Sequence, residues 1–138
     1  MDALVTDNNN NFRYGVEIKC PSSCFGLSLQ EAIKNKSFFL HKVGEKITLK
    51  KSHKYFYQIQ GQMFCANLFR IDLVVWFGDK EPLFIETLFF DELFWKSKIL
   101  PGLDFFYRRA VLPEFYTRRV QNGKKLYLHG GWLSYEEV

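Results

Sequence analysis

Apolar and polar residues follow the pattern of strands in two segments near the start of the chain. Residues 2–5 and residues 12–19 each have strand character, and the run 7–11 between them is entirely polar, with four asparagines. Polar clusters of this kind between two apolar runs are typical of turns. The two segments therefore predict a β-hairpin.

Two helices are predicted in the first half of the chain. Ser28 begins a short helix that extends to about Lys36, because Glu31 follows three positions later and completes a capping box. A second helix runs from Lys54 to about Asn67. It has an apolar stripe within an arc of about 80°, made of Phe56, Ile59, Met63 and Ala66.

The remaining pattern predicts a basic connector, two strands and a third helix. Residues 37–52 form the connector, with lysines and only weak structural signals. Ile71–Phe77 and Leu83–Phe90 are mostly apolar and predict a hairpin in the interior of a sheet. Asp91 caps the third helix, and Pro101-Gly102 within it predicts a kink or break. The last stretch, Lys124–Val138, is predicted as a strand or an extension.

Composition changes this picture only a little. The chain of 138 residues is 47% hydrophobic and 18% aromatic, which fits one folded domain of ordinary size. The formal net charge of +4 permits a polyanionic partner without requiring one. No apolar run approaches the ~20 residues that cross a membrane, so no membrane association is expected.

The cysteines indicate a reducing compartment. Cys20, Cys24 and Cys65 are odd in number, and no secretory segment precedes them. A structural zinc site needs four ligands, and no second pair accompanies the first two cysteines. An intracellular location is expected, compatible with the nucleus if the source is eukaryotic.

The candidate chemistry lies at the end of the second strand. Glu17 and Lys19 are separated by one residue, so they point to the same face of a strand. Burying two opposite charges on one face is costly unless a third group shares them, and a divalent metal ion is such a group. The predicted hairpin brings Asp2 toward Glu17. This arrangement favours metal-dependent phosphodiester hydrolysis; the alternative is a pair of solvated edge residues.

The second helix adds polar side chains that fit such a site. Gln58 and Gln62 lie on one side of the helix together with Tyr55, whereas Gln60 points roughly 160° away from Gln58. The two glutamines of the Gln58-Ile59-Gln60 sequence therefore cannot serve one site. Gln58 is the stronger candidate, because Tyr55 and Gln62 share its face.

Several segments together resemble a known nuclease family. They occur in the chain order Asp-Ala-Leu-Val, Val-Glu-Ile-Lys-Cys-Pro, Tyr-Gln-Ile-Gln-Gly-Gln-Met, Asp-Leu-Val-Val-Trp, Phe-Asp-Glu-Leu-Phe-Trp and Leu-Pro-Glu. This order resembles the YqaJ-like viral recombinase family, which includes the phage lambda exonuclease and belongs to the PD-(D/E)xK superfamily. The resemblance extends from Asp2 to about Phe115.

The resemblance implies an α/β (α+β) fold with a restriction-endonuclease-like core, in which helices flank a mixed central β-sheet. Residues 1–117 would form this nuclease-like domain, and residues 118–138 a C-terminal extension of it. The implied activity is exonuclease digestion of linear DNA with Mg²⁺, for which Mn²⁺ can substitute. DNA is then the partner, and by family resemblance the chain could form a trimer.

The resemblance also implies roles for individual residues. Asp2 and Glu17 would bind the metal together with the main-chain carbonyl of Ile18, and Lys19 would orient or activate the water. Gln58 would border the scissile phosphate, and Tyr55 would lie one turn before it. DNA contacts are assigned to Tyr55, Gln58 and two lysines of the connector, Lys50 and Lys51.

The sequence departs from the family pattern in two places. Family members have helices upstream of the metal-binding aspartate, whereas Asp2 directly follows Met1 here, and Ala3 stands where the family often has glycine. Two alternatives therefore stay open. One is a catalytically weak module that binds DNA or a protein partner through the same fold. The other is a structure-specific endonuclease of the same superfamily.

Overall fold

The computed structural model describes residues 1–9 and 13–127 of the chain. Its six strands, in chain order, are β1 (Ala3–Thr6), β2 (Arg13–Lys19), β3 (Leu40–Val43), β4 (Lys46–Leu49), β5 (Arg70–Val75) and β6 (Phe84–Phe89). The helices are α1 (Leu29–Ala32), α2 (Lys54–Ala66), α3 (Glu92–Phe94), α4 (Leu100–Phe106) and α5 (Leu112–Thr117). The protein is therefore of mixed α and β structure.

Four strands form one mixed sheet in the order β1-β2-β5-β6. The predicted hairpin of β1 and β2 is confirmed, since the two strands pair antiparallel with Ala3 opposite Val16. β2 and β5 run parallel, with Glu17 opposite Leu73, and β5 pairs antiparallel with β6. The parallel pair requires a long connection, and α2 lies within it.

The prediction that both later strands lie inside the sheet is wrong for β6. Among the described residues, β6 is the last strand of the sheet. Ile85 and Phe89 are exposed on one face of this strand, while Leu88 is buried on the other. An apolar run does not distinguish a strand covered on both faces from an edge strand with one covered face.

The segment predicted as a basic connector contains a second, two-stranded sheet. β3 and β4 pair antiparallel, and Gly44 has a φ of 60° at the turn between them, a conformation that glycine adopts without strain. Leu40 and Leu49 are buried. The carboxylate of Glu86 in β6 accepts hydrogen bonds from the Thr48 hydroxyl and from the Leu49 N–H at 2.8 Å, which fixes the hairpin against the main sheet.

The first helix begins where the sequence predicts and ends earlier. Ser28 caps α1 with a complete capping box formed with Glu31. The helix ends at Ala32, not near Lys36. Asn35 explains this, because its side-chain oxygen accepts the backbone N–H of Ser37 at 2.9 Å, a local bond that competes with helical continuation.

The predicted extent of the second helix is confirmed. α2 spans Lys54–Ala66 and ends at Asn67, whose φ of 52° is the left-handed conformation common at helix ends. Phe56, Ile59 and Met63 are buried as the periodicity predicts, whereas Ala66 at the end of the stripe is exposed.

One close approach in the sheet requires a glycine. Gly15 in β2 lies opposite Ile71 in β5, and a β-carbon at this position would be 2.8 Å from the Ile71 Cγ1 atom. Ile71 is fully buried, so it has little room to move. Gly15 therefore allows the two strands to pack at this point.

Contacts divide the chain into two units, Met1–Glu92 and a second unit that begins at Leu93. The second unit is helical up to Thr117, and π-wound segments at Trp95–Ile99 and Tyr107–Val111 precede α4 and α5. In both cases a Leu-Pro pair follows: the N–H of Leu100 bonds to the carbonyl of Trp95, and that of Leu112 to the carbonyl of Tyr107.

The predicted interruption at Pro101-Gly102 thus takes the form of a change in winding. Proline lacks the N–H that continues an α-helix, and the wider turn before it accommodates this loss. The chain stays helical through Pro101, which lies in the first turn of α4. Most of the predicted C-terminal segment lies outside the described residues, and in the described part no helix is both long and apolar enough to cross a membrane.

Candidate active site

Strand β2 places an acid and a base side by side. Glu17 and Lys19 point to the same face, as strand alternation requires, and Lys19 Nζ lies 2.6 Å from Glu17 Oε1. Only 2% of Glu17 is exposed to solvent. A carboxylate this deeply buried needs several partners to remain charged.

Helix α2 supplies two of those partners. Gln58 Nε2 donates to Glu17 Oε1 at 2.8 Å, and Gln62 Nε2 donates to Oε2 at 2.9 Å. The two glutamines are one helical turn apart and therefore share a face. In the 138-residue chain the amino group of Met1 also lies 2.7 Å from Oε2. Oε1 of Glu17 thus accepts from Lys19 and Gln58, and Oε2 accepts from Gln62 and the amino group of Met1.

These donors keep Glu17 ionised. Burial by itself would raise its pKa, but the hydrogen bonds from Lys19, from the amino group of Met1 and from Gln62 outweigh that effect and lower the pKa to about 2. The cluster is therefore a buried anion held by cationic and amide donors.

Gln62 is the partner that sequence reasoning did not select. Its side chain holds Glu17 through Nε2, while its Oε1 atom is buried and accepts no hydrogen bond from residues 1–9 or 13–127. The sequence signal was present, because Gln62 shares the helical face of Gln58. An unsatisfied buried amide oxygen is uncommon in proteins, and here it is next to the central carboxylate.

Gln60 points away from the site, as the helical periodicity predicts. It is fully buried. Its Nε2 donates to the carbonyl of Phe89 at 3.1 Å, and its Oε1 accepts the N–H of Asp91 at 2.8 Å. Gln60 therefore attaches α2 to the end of β6 and takes no part in the cluster around Glu17.

Asp2 approaches the cluster through the backbone. Its Oδ2 atom accepts the N–H of Ile18 at 2.7 Å, and its own N–H donates to the carbonyl of Val16 at 2.9 Å. Asp2 is thus anchored beside the residue that precedes Lys19. In the described residues, no group of three or more histidine, cysteine, aspartate or glutamate side chains forms a metal cluster.

The side-chain oxygens of the site are of the chemical type that binds a magnesium ion. Mg²⁺ is commonly held by one or two carboxylates, with water and substrate phosphates completing its shell. Glu17 in β2 and Asp2, which directly precedes β1, supply two carboxylates, and Gln62 Oε1 accepts no hydrogen bond within the described residues. These are hard oxygen ligands of the type that Mg²⁺ prefers.

Tyr55 lies at the edge of the site. Lys19 Nζ is 4.4 Å from the centre of its ring, a cation–π distance, and 3.4 Å from Gln58 Oε1. Beyond Tyr55 is a cavity of about 410 Å³. Among the described residues its wall consists of Cys20, Pro21, Ser22, Ser23, Asn35, Ser37, Phe38, Phe39, His53, Lys54 and Tyr55, none of which is acidic.

Two other predicted DNA contacts are engaged elsewhere. Lys50 Nζ donates to the carbonyl of Lys36 at 2.6 Å, and Lys51 Nζ pairs with Asp91 Oδ2 at 2.8 Å. The structure therefore brings together Glu17, Lys19, Gln58 and Tyr55, with Asp2 adjacent, and it places Lys50 and Lys51 in contacts of their own.

No protein-family model, curated protein or solved structure matches this chain. The residues of the site and the chemistry that they can perform are therefore what indicates its function.

Proposed function

We propose that this protein is a metal-dependent nuclease that hydrolyses phosphodiester bonds of linear DNA, as the resemblance to the lambda exonuclease family implies. One observation carries the proposal: Glu17 is buried on a sheet face with Lys19, and two glutamines from one helix hold it. A carboxylate and an ammonium that are buried together are costly to remove from water, and a carboxylate whose pKa is strongly shifted is typical of functional sites, so the pair favours a chemical role.

Each residue of the cluster has a role in this proposal. Asp2 and Glu17, with the carbonyl of Ile18, would hold Mg²⁺, which when bound lowers the pKa of an attacking water and stabilises the leaving oxygen. Lys19 places a positive charge where a phosphate or its attacking water is held. Gln58 holds the Glu17 carboxylate and the Lys19 ammonium in position, because it contacts both.

A second candidate function has its own supporting observation. Both oxygens of Glu17 accept hydrogen bonds from side chains of this chain, Oε1 from Lys19 and Gln58 and Oε2 from Gln62. A carboxylate satisfied in this way needs no metal ion to balance its charge. This favours a module that binds DNA or a protein partner through the same fold without hydrolysing DNA.

The experiment that separates the two is digestion of linear, 5′-phosphorylated duplex DNA with Mg²⁺ or Mn²⁺, beside closed circular DNA. The parent chain is compared with Glu17→Gln and with a matched control, Glu45→Gln, whose carboxylate is exposed on the turn after β3. The proposal expects metal-dependent loss of linear DNA only, abolished in Glu17→Gln and unchanged in Glu45→Gln.

The other outcomes are equally informative. Cleavage of the circular DNA would identify an endonuclease of the same superfamily. Absence of cleavage by a folded parent chain that still binds DNA would favour the binding module. Equal activity of Glu17→Gln and the parent would remove Glu17 from the site.

A further inference from the structure

The positive charge of this protein is concentrated in its second unit. Met1–Glu92 has eleven lysines and arginines and eleven aspartates and glutamates, so its formal charge is zero. The segment Leu93–Tyr127 has eight basic residues and only two acidic ones. One of the two, Asp104, is paired with Arg108 at 3.0 Å. The other, Glu114, accepts backbone hydrogen bonds.

Those backbone bonds build a fixed turn after α5. The carboxylate of Glu114 accepts the N–H of Val120 at 2.9 Å and that of Gln121 at 3.0 Å. The N–H of Lys124 donates to the carbonyl of Arg119 at 2.8 Å. The segment Arg118–Lys125, called here the basic turn, is thus closed on itself by several short hydrogen bonds.

The basic turn presents four cationic side chains within eight residues. Arg118, Lys124 and Lys125 are exposed. Arg119 is half-buried, and its Nε donates to the carbonyl of Lys125 at 2.8 Å, which braces the turn. The carboxylate of Glu114 accepts hydrogen bonds from backbone N–H groups. The positive charge of the basic turn is therefore available to a polyanion.

Exposed aromatic rings lie directly before the basic turn. Phe115 is 70% exposed and Tyr116 79% exposed, and their ring centres are 5.3 Å apart. Phe115 also lines a groove of about 480 Å³ that is otherwise mostly aliphatic. The groove ends at the basic turn, because Val120 and Leu126 belong to its wall together with Phe106, Ala110, Val111 and Glu114.

We propose that the segment Leu93–Tyr127 binds single-stranded nucleic acid, with phosphates on the basic turn and an unstacked base against Phe115 in the groove. Cationic side chains beside exposed aromatic rings are the combination that binds single strands, because each base offers a face for stacking. A duplex keeps its bases stacked inside and gains only from the cations. The inference rests on the proposed function in one respect, since it assigns a substrate strand to the same protein.

The test measures binding without hydrolysis. Anisotropy of a labelled 20-nucleotide single strand and of the matching duplex is recorded with the parent chain in EDTA, which removes the divalent ions that the proposed hydrolysis needs. The triple variant Arg118→Gln/Lys124→Gln/Lys125→Gln keeps Arg119 and its bracing bond. Its matched control is Lys34→Gln/Lys42→Gln/Lys80→Gln, which removes the same charge from exposed positions of the first unit.

The basic-turn variant is expected to bind the single strand at least tenfold more weakly. The slope of its log–log salt dependence should also become shallower by about 2, since three phosphate contacts are lost and each contributes about 0.7. The control triple variant should change affinity less than about threefold. Phe115→Ala should weaken single-strand binding at least fivefold and leave duplex binding nearly unchanged.

Four results would overturn the inference. The first is an equal loss in the two triple variants, and the second is equal affinity for single strand and duplex. The third is binding of vesicles that contain phosphatidylserine but not of nucleic acid. The fourth is loss of self-association in Phe115→Ala, seen by sedimentation, with binding intact. If the parent chain binds as expected but does not cleave DNA with Mg²⁺, the proposed function is refuted and this inference still stands.

Discussion

The charge on Glu17 should be visible as a pH-dependent part of the protein's stability. Its pKa is lowered from 4.5 to about 2 in the folded chain, which corresponds to about 3 kcal/mol of stabilisation. Because the folded-state pKa is the lower one, this stabilisation is complete above pH 4.5. It is lost as the pH falls from about 4.5 toward 2, and at pH 3 less than half of it remains.

The variant Glu17→Gln isolates this contribution. An amide at this position cannot carry the negative charge, and its NH₂ group would face the donors from Lys19, Gln58 and Gln62. Urea denaturation followed by circular dichroism at pH 7, 5, 4 and 3 gives the free energy of unfolding. We expect the variant to be less stable than the parent by about 3 kcal/mol at pH 7, with the difference shrinking at pH 3.

The control for this series is Glu45→Gln. Glu45 is exposed and 3.9 Å from Lys42, and surface pairs of this kind contribute little. Its effect should stay within about 0.5 kcal/mol at every pH. A Glu17→Gln difference of the same size at pH 7 and at pH 3 would refute the reasoning, since the loss would then come from packing and not from charge.

Four further substitutions separate structural from chemical residues. Gln60→Met leaves two backbone groups without a partner and should cost about 2–4 kcal/mol in urea denaturation, whereas Gln58→Met, exposed on the same helix, should cost less than half as much. Gly15→Ala should lower the free energy of unfolding by about 1–3 kcal/mol, because Ile71 has no room to yield; an unchanged midpoint would contradict this. Lys19→Ala should abolish DNA cleavage while circular dichroism shows an intact fold, and cleavage at the parent rate would remove Lys19 from the mechanism.

The parts of the fold that follow a strict period could be predicted from sequence. Helix α2 has side chains fixed at about 100° per residue, so the separation of Gln58 from Gln60 follows from their positions alone. The hairpin of β1 and β2 followed from strand character on both sides of a polar turn. The position of Glu17 and Lys19 on one face followed from the two-residue period of a strand.

Other features depend on partners distant in sequence. β3 and β4 contain Lys42 and Lys46, which conceal their alternation, and the hairpin is fixed by Glu86 from another strand. The position of β6 at the edge of the sheet depends on strand order, which no local pattern encodes. Gln62 was visible on the correct helical face, but its importance depends on the second oxygen of Glu17, whose orientation only the packed site defines.

Helix α2 links the stability of this protein to its candidate chemistry. Gln60 on one face of the helix bonds to the end of β6, and Gln62 on the opposite face donates a hydrogen bond to Glu17. The helix is rigid between them, so releasing one attachment lets it rotate or shift at the other. Contacts that share an element in this way are expected to couple in double-mutant cycles.

The final prediction follows from that coupling. Gln60→Met, Gln62→Met and the double variant are compared by urea denaturation at pH 7, with Gln60→Met/Glu45→Gln as a cycle between unconnected sites. We expect an interaction free energy of at least about 0.5 kcal/mol for the first cycle, because each single change already loosens the helix on which the other bond depends. The unconnected cycle should be additive. Additive values in both cycles would mean that the two faces of α2 act independently.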